Sequence, residues 1–330
     1  MNIGILGAGA WGTALAAVLA PRHDVRLWSR DPALAGELAR TRRNARYLPG
    51  IDLPAELRCT ARFDEAAAHG AGGLLLIATP PAALRQMLAA LRNAAPGTAV
   101  VWLCKGLERD SAAMAHEIAR DELGALKAGP LSGPSFAQEV ALGLPTALTV
   151  AGDDAFCGRV TDALHGPALR IYATHDVVGV EVGGAVKNVM AIATGICDAL
   201  ALGQNARAAL ITRGLAETSR LGAALGAEPS TFMGLAGVGD LILTCTGELS
   251  RNRQVGLMLG RGLPLADALA RLGHVAEGVW SAPAVRSRAA ALGVQMPITD
   301  AVCAVLEGEV SPRRALERLL ARDPKRESIP

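Results

Sequence analysis

No part of this 330-residue chain concentrates charge of one sign. Thirty-three basic residues stand against 31 acidic ones, a formal net charge of +2, with no long block of either sign. Coating nucleic acid needs a concentrated basic field, so nucleic acid is not an expected partner, whereas a small anionic ligand remains open. Paired cysteines are missing too. Cys59, Cys104, Cys157, Cys197, Cys245 and Cys303 are scattered without a CxxC, which is neither a disulfide framework nor a zinc ribbon and reads as buried thiols in a reducing compartment. The six histidines form no metal constellation. His116-Glu117-Ile118-Ala119-Arg120 misses the HExxH pattern because its fifth residue is arginine, and no G-x-S-x-G nucleophile elbow is present. Metal and hydrolase chemistry are therefore not expected. A fixed-period repeat, a low-complexity tract and a long flexible linker are also lacking.

Met1 to Pro21 carries no charged side chain and has about the length of a membrane span. It holds Gly4, Gly7, Gly9 and Gly12, however, and lacks the basic start and cleavage context of a signal peptide. A strand, a glycine turn and a helix account for it better, so no membrane span is expected and the protein reads as soluble and cytoplasmic. The composition is 51% hydrophobic and 19% charged, with mean hydropathy +0.28. That is ample for a large core, and the length suggests two domains.

The apolar runs Ile3–Leu6, Val25–Trp28, Leu57–Thr60, Leu74–Ala78 and Ala99–Leu103 read as strands. Helical patterns at Thr13–Ala20, Ala82–Leu91 and Ala112–Leu123 separate them. Nearly continuous apolar strands alternating with helices call for a parallel sheet covered on both faces. Runs at Ala128–Leu131, Thr146–Ala151 and Leu169–Ala173 extend that sheet, with room for an antiparallel edge. Near residue 177 the texture changes. Val178, Val182, Ala185, Val189, Ile192, Ile196 and Ala199 form one apolar stripe on a helix of about six turns, and helical patterns broken by glycine loops follow. The boundary falls near residue 175, giving an α/β domain at 1–175 and a helical domain at 176–330, with a polar, frayed tail at 322–330.

Gly7-Ala8-Gly9-Ala10-Trp11-Gly12 is a G-x-G-x-x-G that follows the first strand and opens a helix. Gly7 permits the tight turn, Gly9 lets backbone approach a pyrophosphate, and Gly12 lets helix and strand pack closely. The helix start then offers free N–H groups and a positive dipole end to phosphates. The second strand ends at Trp28-Ser29-Arg30-Asp31. A carboxylate there grips the ribose 2′-OH of NAD, whereas arginine suits a 2′-phosphate. Arg30 favours NADP(H), and Asp31 leaves NAD(H) open.

Of the 33 basic residues, only Lys105, Lys127, Lys187 and Lys325 are lysines. Arginine does not release its proton in practice, whereas a desolvated lysine can, so a lysine kept against this bias hints at proton chemistry. Lys105 lies beyond the carboxyl end of the strand Ala99–Leu103, where open α/β sheets bind ligands. Lys187 lies on the long helix about 180° from the apolar stripe, on a face shared with Gly183, Thr194 and Asp198. An exposed surface cation is the alternative at each. Two further segments are dense in polar groups: Leu131–Ala137 (LSGPSFA), and Gly237-Val238-Gly239-Asp240-Leu241 followed by Ser250-Arg251-Asn252-Arg253. Arg251 suits a phosphate through paired hydrogen bonds, with a plain capped helix start as the alternative.

Taken together, Gly7–Gly12 with Trp11, Asn44–Gly50 (NARYLPG), Lys105–Glu108 (KGLE), Leu131–Ala137, Gly183–Asn188 (GGAVKN), Asn205–Glu217 (NARAALITRGLAE), Phe232–Thr246 (FMGLAGVGDLILTCT) and Ser250–Asn252 resemble bacterial NAD(P)-dependent glycerol-3-phosphate dehydrogenase over nearly the whole chain. The resemblance implies a Rossmann domain with a doubly wound, mostly parallel sheet, then an all-α domain of the 6-phosphogluconate-dehydrogenase C-terminal type. It implies reversible reduction of dihydroxyacetone phosphate to sn-glycerol 3-phosphate for phospholipid synthesis, by a homodimer. By the same resemblance Lys187 is the general acid, Lys105 touches cofactor and substrate, and Asp240 orients Lys187, with Thr244 near the lysines. Gly133, Ser135, Ser250, Arg251 and Asn252 contact the substrate. Gly7, Gly9, Ala10, Trp11, Gly12, Arg30, Lys105, Ala137, Arg251, Val275 and Glu277 contact the cofactor, and no metal is implied. Trp102 and Cys104 depart from the smaller or hydroxylated residues usual beside that lysine. The rivals are a β-hydroxyacid dehydrogenase or ketopantoate reductase of the same architecture, and a non-catalytic NADP(H) sensor.

Overall fold

The computed structural model describes residues 1–124 and 127–321; the tail expected to fray lies outside them. The described chain divides into two compact units. Met1–Cys104 and Ala115–Val177 make the first, and Lys105–Met114 joins the residues from Val178 onward in the second.

In the first unit the strands are β1 (Asn2–Leu6), β2 (Asp24–Trp28), β3 (Arg43–Asn44), β4 (Leu48–Asp52), β5 (Arg58–Thr60), β6 (Leu74–Ile77), β7 (Ala99–Trp102), β8 (Ala128–Ser132), β9 (Thr146–Ala151) and β10 (Leu169–Thr174). Its helices are α1 (Ala10–Leu19), α2 (Pro32–Thr41), α3 (Phe63–Gly70), α4 (Leu84–Ala94), α5 (Ala115–Leu123), α6 (Ala137–Ala141) and α7 (Asp154–Leu164). Eight strands form one sheet in the order β10-β9-β8-β7-β6-β1-β2-β5. β1 pairs in parallel with β2 on one side and β6 on the other, Ile3 opposing both Val25 and Leu74. Strand order therefore reverses between β1 and β6, and ligands of open α/β sheets bind outside the carboxyl ends of strands at such a point. The central strands are buried throughout, as a sheet covered on both faces demands.

Two details refine the sequence expectation. The antiparallel component is a pair of strands: β9 opposes β8, and β10 runs parallel to β9. Asn44–Gly50 contributes to a small antiparallel ribbon, β3 with β4, whose Leu48 and Ile51 pack with Ala14 of α1 and Val140 of α6. The ribbon carries no periodic apolar pattern long enough to be read in advance.

The second unit is helical among its described residues: α8 (Val177–Ala199), α9 (Gly203–Ala224), α10 (Pro229–Phe232), α11 (Asp240–Thr246), α12 (Arg251–Gly260), α13 (Leu265–Leu272), α14 (Glu277–Ala291), α15 (Pro297–Leu306) and α16 (Pro312–Leu320). A π-helical kink at Leu235–Gly239 runs directly into α11. The alternative of an exposed cation at Lys187 is excluded. Every residue from Val182 to Cys197 is buried, so the polar side of the stripe faces neighbouring helices. Length and hydropathy would let α8 cross a membrane, but it is the hub of this unit's core. Close approach depends on its glycines. A methyl group at Gly183 would run into the Ala236 carbonyl oxygen, and one at Gly195 into that of Arg253. Leu107, Ala112 and Met114 of the Lys105–Met114 segment sit in the same core, and the Arg109 guanidinium stacks 5.0 Å from the Trp280 ring centre. Glu217 of α9 caps α15, accepting from the Ile298 N–H at 2.7 Å and the Thr299 N–H at 3.3 Å.

Overpacking a fitted helix crossing costs typically 1–3 kcal/mol. Gly195→Ala should lower stability by about that amount in a denaturant titration, whereas Gly36→Ala, where a methyl group meets nothing within 4 Å, should not; equal stability of the two variants would contradict the crossing.

Candidate active site

Asp240 is the first residue of α11, delivered by the kink against the middle of α8. Its carboxylate is shared by two lysines. Lys187 Nζ donates to Oδ1 at 2.5 Å, and Lys105 Nζ donates to Oδ2 at 2.7 Å. Lys187 also donates to Thr244 Oγ1 at 2.9 Å, while that hydroxyl donates to the Asp240 carbonyl oxygen at 2.6 Å. Asp240 is 1% exposed and Lys187 7%. The four groups belong to the second unit, and the structure brings them together.

Burial dominates the electrostatics of Lys187. Desolvation pulls its ammonium down to about 8, with Asp240 opposing the fall and Lys105 adding to it. Burial alone would push the Asp240 carboxyl upward, but the two ammonium groups outweigh it and hold the group below the ordinary carboxylate range. A buried carboxylate flanked by two cations stays ionised, and one of those cations is poised to exchange a proton near neutrality.

Around this centre lies a chain of amides. Asn188 Nδ2 donates to the Lys105 and Gly184 carbonyl oxygens at 3.3 Å each. Asn252 Nδ2 donates to Asn188 Oδ1 at 2.8 Å, and Asn252 Oδ1 accepts from the Gly278 N–H at 2.9 Å. Asn252, a substrate contact by resemblance, thus spends its acceptor and one N–H on the protein. Ser250 caps α12, its Oγ accepting from the Arg253 N–H at 3.3 Å. Arg251, the next residue, is exposed. The segment is thus a capped helix start whose first residue is an exposed arginine. Val275 is exposed just before α14 and Glu277 opens that helix. Burial raises the Glu277 carboxyl, opposed by the charges of Arg251, Lys105 and Lys187.

The remaining predicted residues lie in the first unit. Gly7 has φ +125°, a value that favours glycine, and stands beside the Ala78 carbonyl at the switch point. Gly9 precedes α1 with no side-chain cap, and a methyl group there would meet nothing within 4 Å. An uncapped helix start above open space fits a pyrophosphate. Ala10, Trp11 and Gly12 form the first turn of α1. Arg30 is exposed, whereas Asp31 is committed to capping α2, accepting from the Ala33 N–H at 2.9 Å. Gly133, at φ +137°, follows β8, Ser135 Oγ donates to its carbonyl oxygen at 2.9 Å, and Ala137 opens α6. Sequence reasoning missed the part played by Asn44. Wholly buried, it donates through Nδ2 to the Ala8 carbonyl oxygen at 3.0 Å and to Thr13 Oγ1 at 2.8 Å, bracing the glycine turn from beneath. Its place at the head of NARYLPG was the available signal. Among the described residues no group of His, Cys, Asp and Glu is arranged to hold a metal ion.

Residues 2–157 match the family model of the NAD-dependent glycerol-3-phosphate dehydrogenase N-terminus, and residues 176–317 match that of the C-terminus. The chain belongs to this family. A glycerol-3-phosphate dehydrogenase [NAD(P)+] from Methylibium petroleiphilum is 59% identical over 99% of this chain and 98% of that protein. The crystal structure of glycerol-3-phosphate dehydrogenase from Coxiella burnetii superposes with a TM-score of 0.93 at 40% identity, covering 97% of this chain and 98% of that one. A 2-dehydropantoate 2-reductase from Enterococcus faecalis shares only the fold, with a TM-score of 0.54 at 16% identity over 96% of this chain and 99% of that one. As a glycerol-3-phosphate dehydrogenase family member the chain is an oxidoreductase dependent on a nicotinamide cofactor.

Asp240 supports the charge on Lys187, so Asp240→Asn should drop the Lys187 ammonium below about 8. With four lysines in the chain, a carbon NMR titration of the labelled Nζ-bearing carbons can follow it; an unchanged or raised midpoint would contradict the shared-carboxylate arrangement.

Proposed function

We propose that the chain reduces dihydroxyacetone phosphate to sn-glycerol 3-phosphate and runs the reverse reaction, with NADP(H) preferred over NAD(H). The observation that supports this most is the pair of lysines on one buried carboxylate. When bound, the nicotinamide supplies or accepts hydride at the carbon that becomes the alcohol carbon. Lys187 gives its proton to the ketone oxygen and takes it back in the oxidation, a task for a group whose proton is labile near working pH. Lys105 faces the charge developing on that oxygen and stabilises it electrostatically. Asp240 orients Lys187 and balances both cations. Arg251 holds the substrate phosphate through paired hydrogen bonds, Ser250 and the remaining Asn252 N–H support it, and Gly133 and Ser135 line the substrate.

On the cofactor, the glycine turn Gly7–Gly12 with Ala10 and Trp11 holds the pyrophosphate. Ala137, Lys105, Arg251, Val275 and Glu277 make further contacts. The preference for NADP(H) rests on Arg30, which is free to meet a 2′-phosphate, while Asp31 is occupied in its cap. In this reading residues 1–175 bind most of the cofactor, and 176–330, joined in the fold by Lys105–Met114, supply most of the substrate binding and the proton transfer. The protein acts as a cytoplasmic homodimer with no nucleic-acid partner, and its product feeds glycerophospholipid synthesis. A 2-ketoacid reductase of the same architecture has no use for a phosphate-binding Arg251, and a sensor has no use for Lys187.

Absorbance of NADPH with dihydroxyacetone phosphate, run beside NADH and unphosphorylated dihydroxyacetone, tests the reading. Oxidation should need the phosphate and favour NADPH; equal rates with both ketones would remove Arg251 from its role. Lys187→Ala should lower kcat by roughly 10²- to 10⁴-fold while NADPH affinity, read by fluorescence, stays near normal. The proton also sets the pH dependence. Reduction needs the ammonium and oxidation the free amine, so kcat should fall for reduction and rise for oxidation as pH climbs through about 8.

A further inference from the structure

The polar residues that α8 carries beyond Lys187 end in Asp198, one of the face-mates noted in the sequence and unused by the chemistry above. Asp198 lies in the last turn of α8. It accepts from Arg253 twice, from Nε at 3.0 Å and Nη2 at 2.6 Å. Arg207, near the start of α9, adds contacts from Nη1 at 3.3 and 3.2 Å and donates to Gln204. The side chains of Asp198, Arg253 and Arg207 are only 16%, 13% and 21% exposed. One carboxylate therefore gathers two guanidinium groups from two other helices in a largely desolvated place.

Arg253 stands two residues after Arg251 in the first turn of α12. That turn is tied to α8 at two points, Asn252 to Asn188 and Arg253 to Asp198, and α12 crosses α8 at the Gly195 contact. A helix held at one point can still roll about its axis; a second side-chain tie on a flanking position removes that freedom. Residues two apart on a helix point about 200° from each other, so the roll that seats Arg253 on α8 also aims Arg251 away from it. We propose that Asp198 is a positioning residue for substrate recognition: through Arg253 it sets the roll of α12 and thereby the direction of Arg251 toward the substrate phosphate. The role rests on the reading of Arg251 given above. Arg207 braces Asp198 from α9, which gives a physical task to one end of the NARAALITRGLAE segment.

Misplacement of a binding group by about 1 Å can cost on the order of a hundredfold. In Asp198→Asn, assayed at saturating NADPH, kcat/KM for dihydroxyacetone phosphate should fall by about tenfold to a hundredfold, mostly through KM, while the slow reduction of unphosphorylated dihydroxyacetone stays unchanged. Asp198→Glu should recover part of the loss. Arg251→Gln is assayed in parallel, and the double variant Asp198→Asn/Arg251→Gln should be no worse on dihydroxyacetone phosphate than Arg251→Gln alone. Equal losses on both ketones in Asp198→Asn would show a general structural role and overturn the proposal, as would wild-type kinetics. If Arg251→Gln is selective for the phosphorylated ketone and Asp198→Asn is not, positioning fails while the Arg251 reading stands. If Arg251→Gln shows no selectivity, both fall. Should Asp198→Asn not fold, Arg253→Lys, which keeps the cation but loses the paired geometry, carries the same expectations.

Discussion

A single carboxylate, that of Asp240, holds the polar centre of the helical unit in order. Two ammonium groups and a hydroxyl converge within hydrogen-bond reach of α11's first residue, where water is nearly excluded. Taking three charges out of water is costly unless they compensate one another, and much of the helical unit can be understood as the means of keeping them compensated. The kink before α11 brings the carboxylate to α8 instead of letting a helix run past it. Gly183 allows the kinked backbone to lie against α8 one turn from Lys187. The Lys105–Met114 segment is secured in the helical core by Leu107, Ala112 and Met114, so that Lys105 meets the carboxylate from the other side.

The balance of forces on Lys187 carries the functional point. Burial alone would strip its proton, and ion pairing alone would hold the proton too tightly for exchange. With both present, the ammonium settles at about 8, the property on which its proposed role as acid and, after release, as base rests. Lys105 shifts this balance through its charge, which lowers the Lys187 ammonium further.

The nucleotide-binding unit solves a different problem. In the proposed reading its ligand group is a pyrophosphate, for which backbone N–H groups at an uncapped helix start would supply the donors. Side chains are kept out of the way there, and the polar side chain that does the holding, Asn44, works from beneath by fixing the Ala8 carbonyl and Thr13. Both units thus rely on buried amides as struts: Asn44 under the glycine turn, Asn188 and Asn252 beside the lysines. Each satisfies several partners at once, which is the condition under which a buried polar group rigidifies a site instead of weakening it.

Much of this was legible in one dimension. The glycine spacing, the apolar strands and the lysines retained among so many arginines point to a nicotinamide-dependent Rossmann enzyme, because backbone approach, sheet burial and proton release each demand particular residue types locally. The motif set named the family as well. What periodicity left open was the polar face of α8: an exposed cation at Lys187 was one alternative, yet that face is buried because other helices bring Asp240, Asn252 and Arg253 to meet it. No local pattern shows that Asp240 serves two lysines 53 and 135 residues away, that Asn252 is mostly spent on its neighbours, or that Asp198 joins three helices. The sequence determined which chemical groups are available and which local elements carry them; only the tertiary structure decided which of those groups share a desolvated space, and it is desolvation together with proximity that loosens a lysine's hold on its proton.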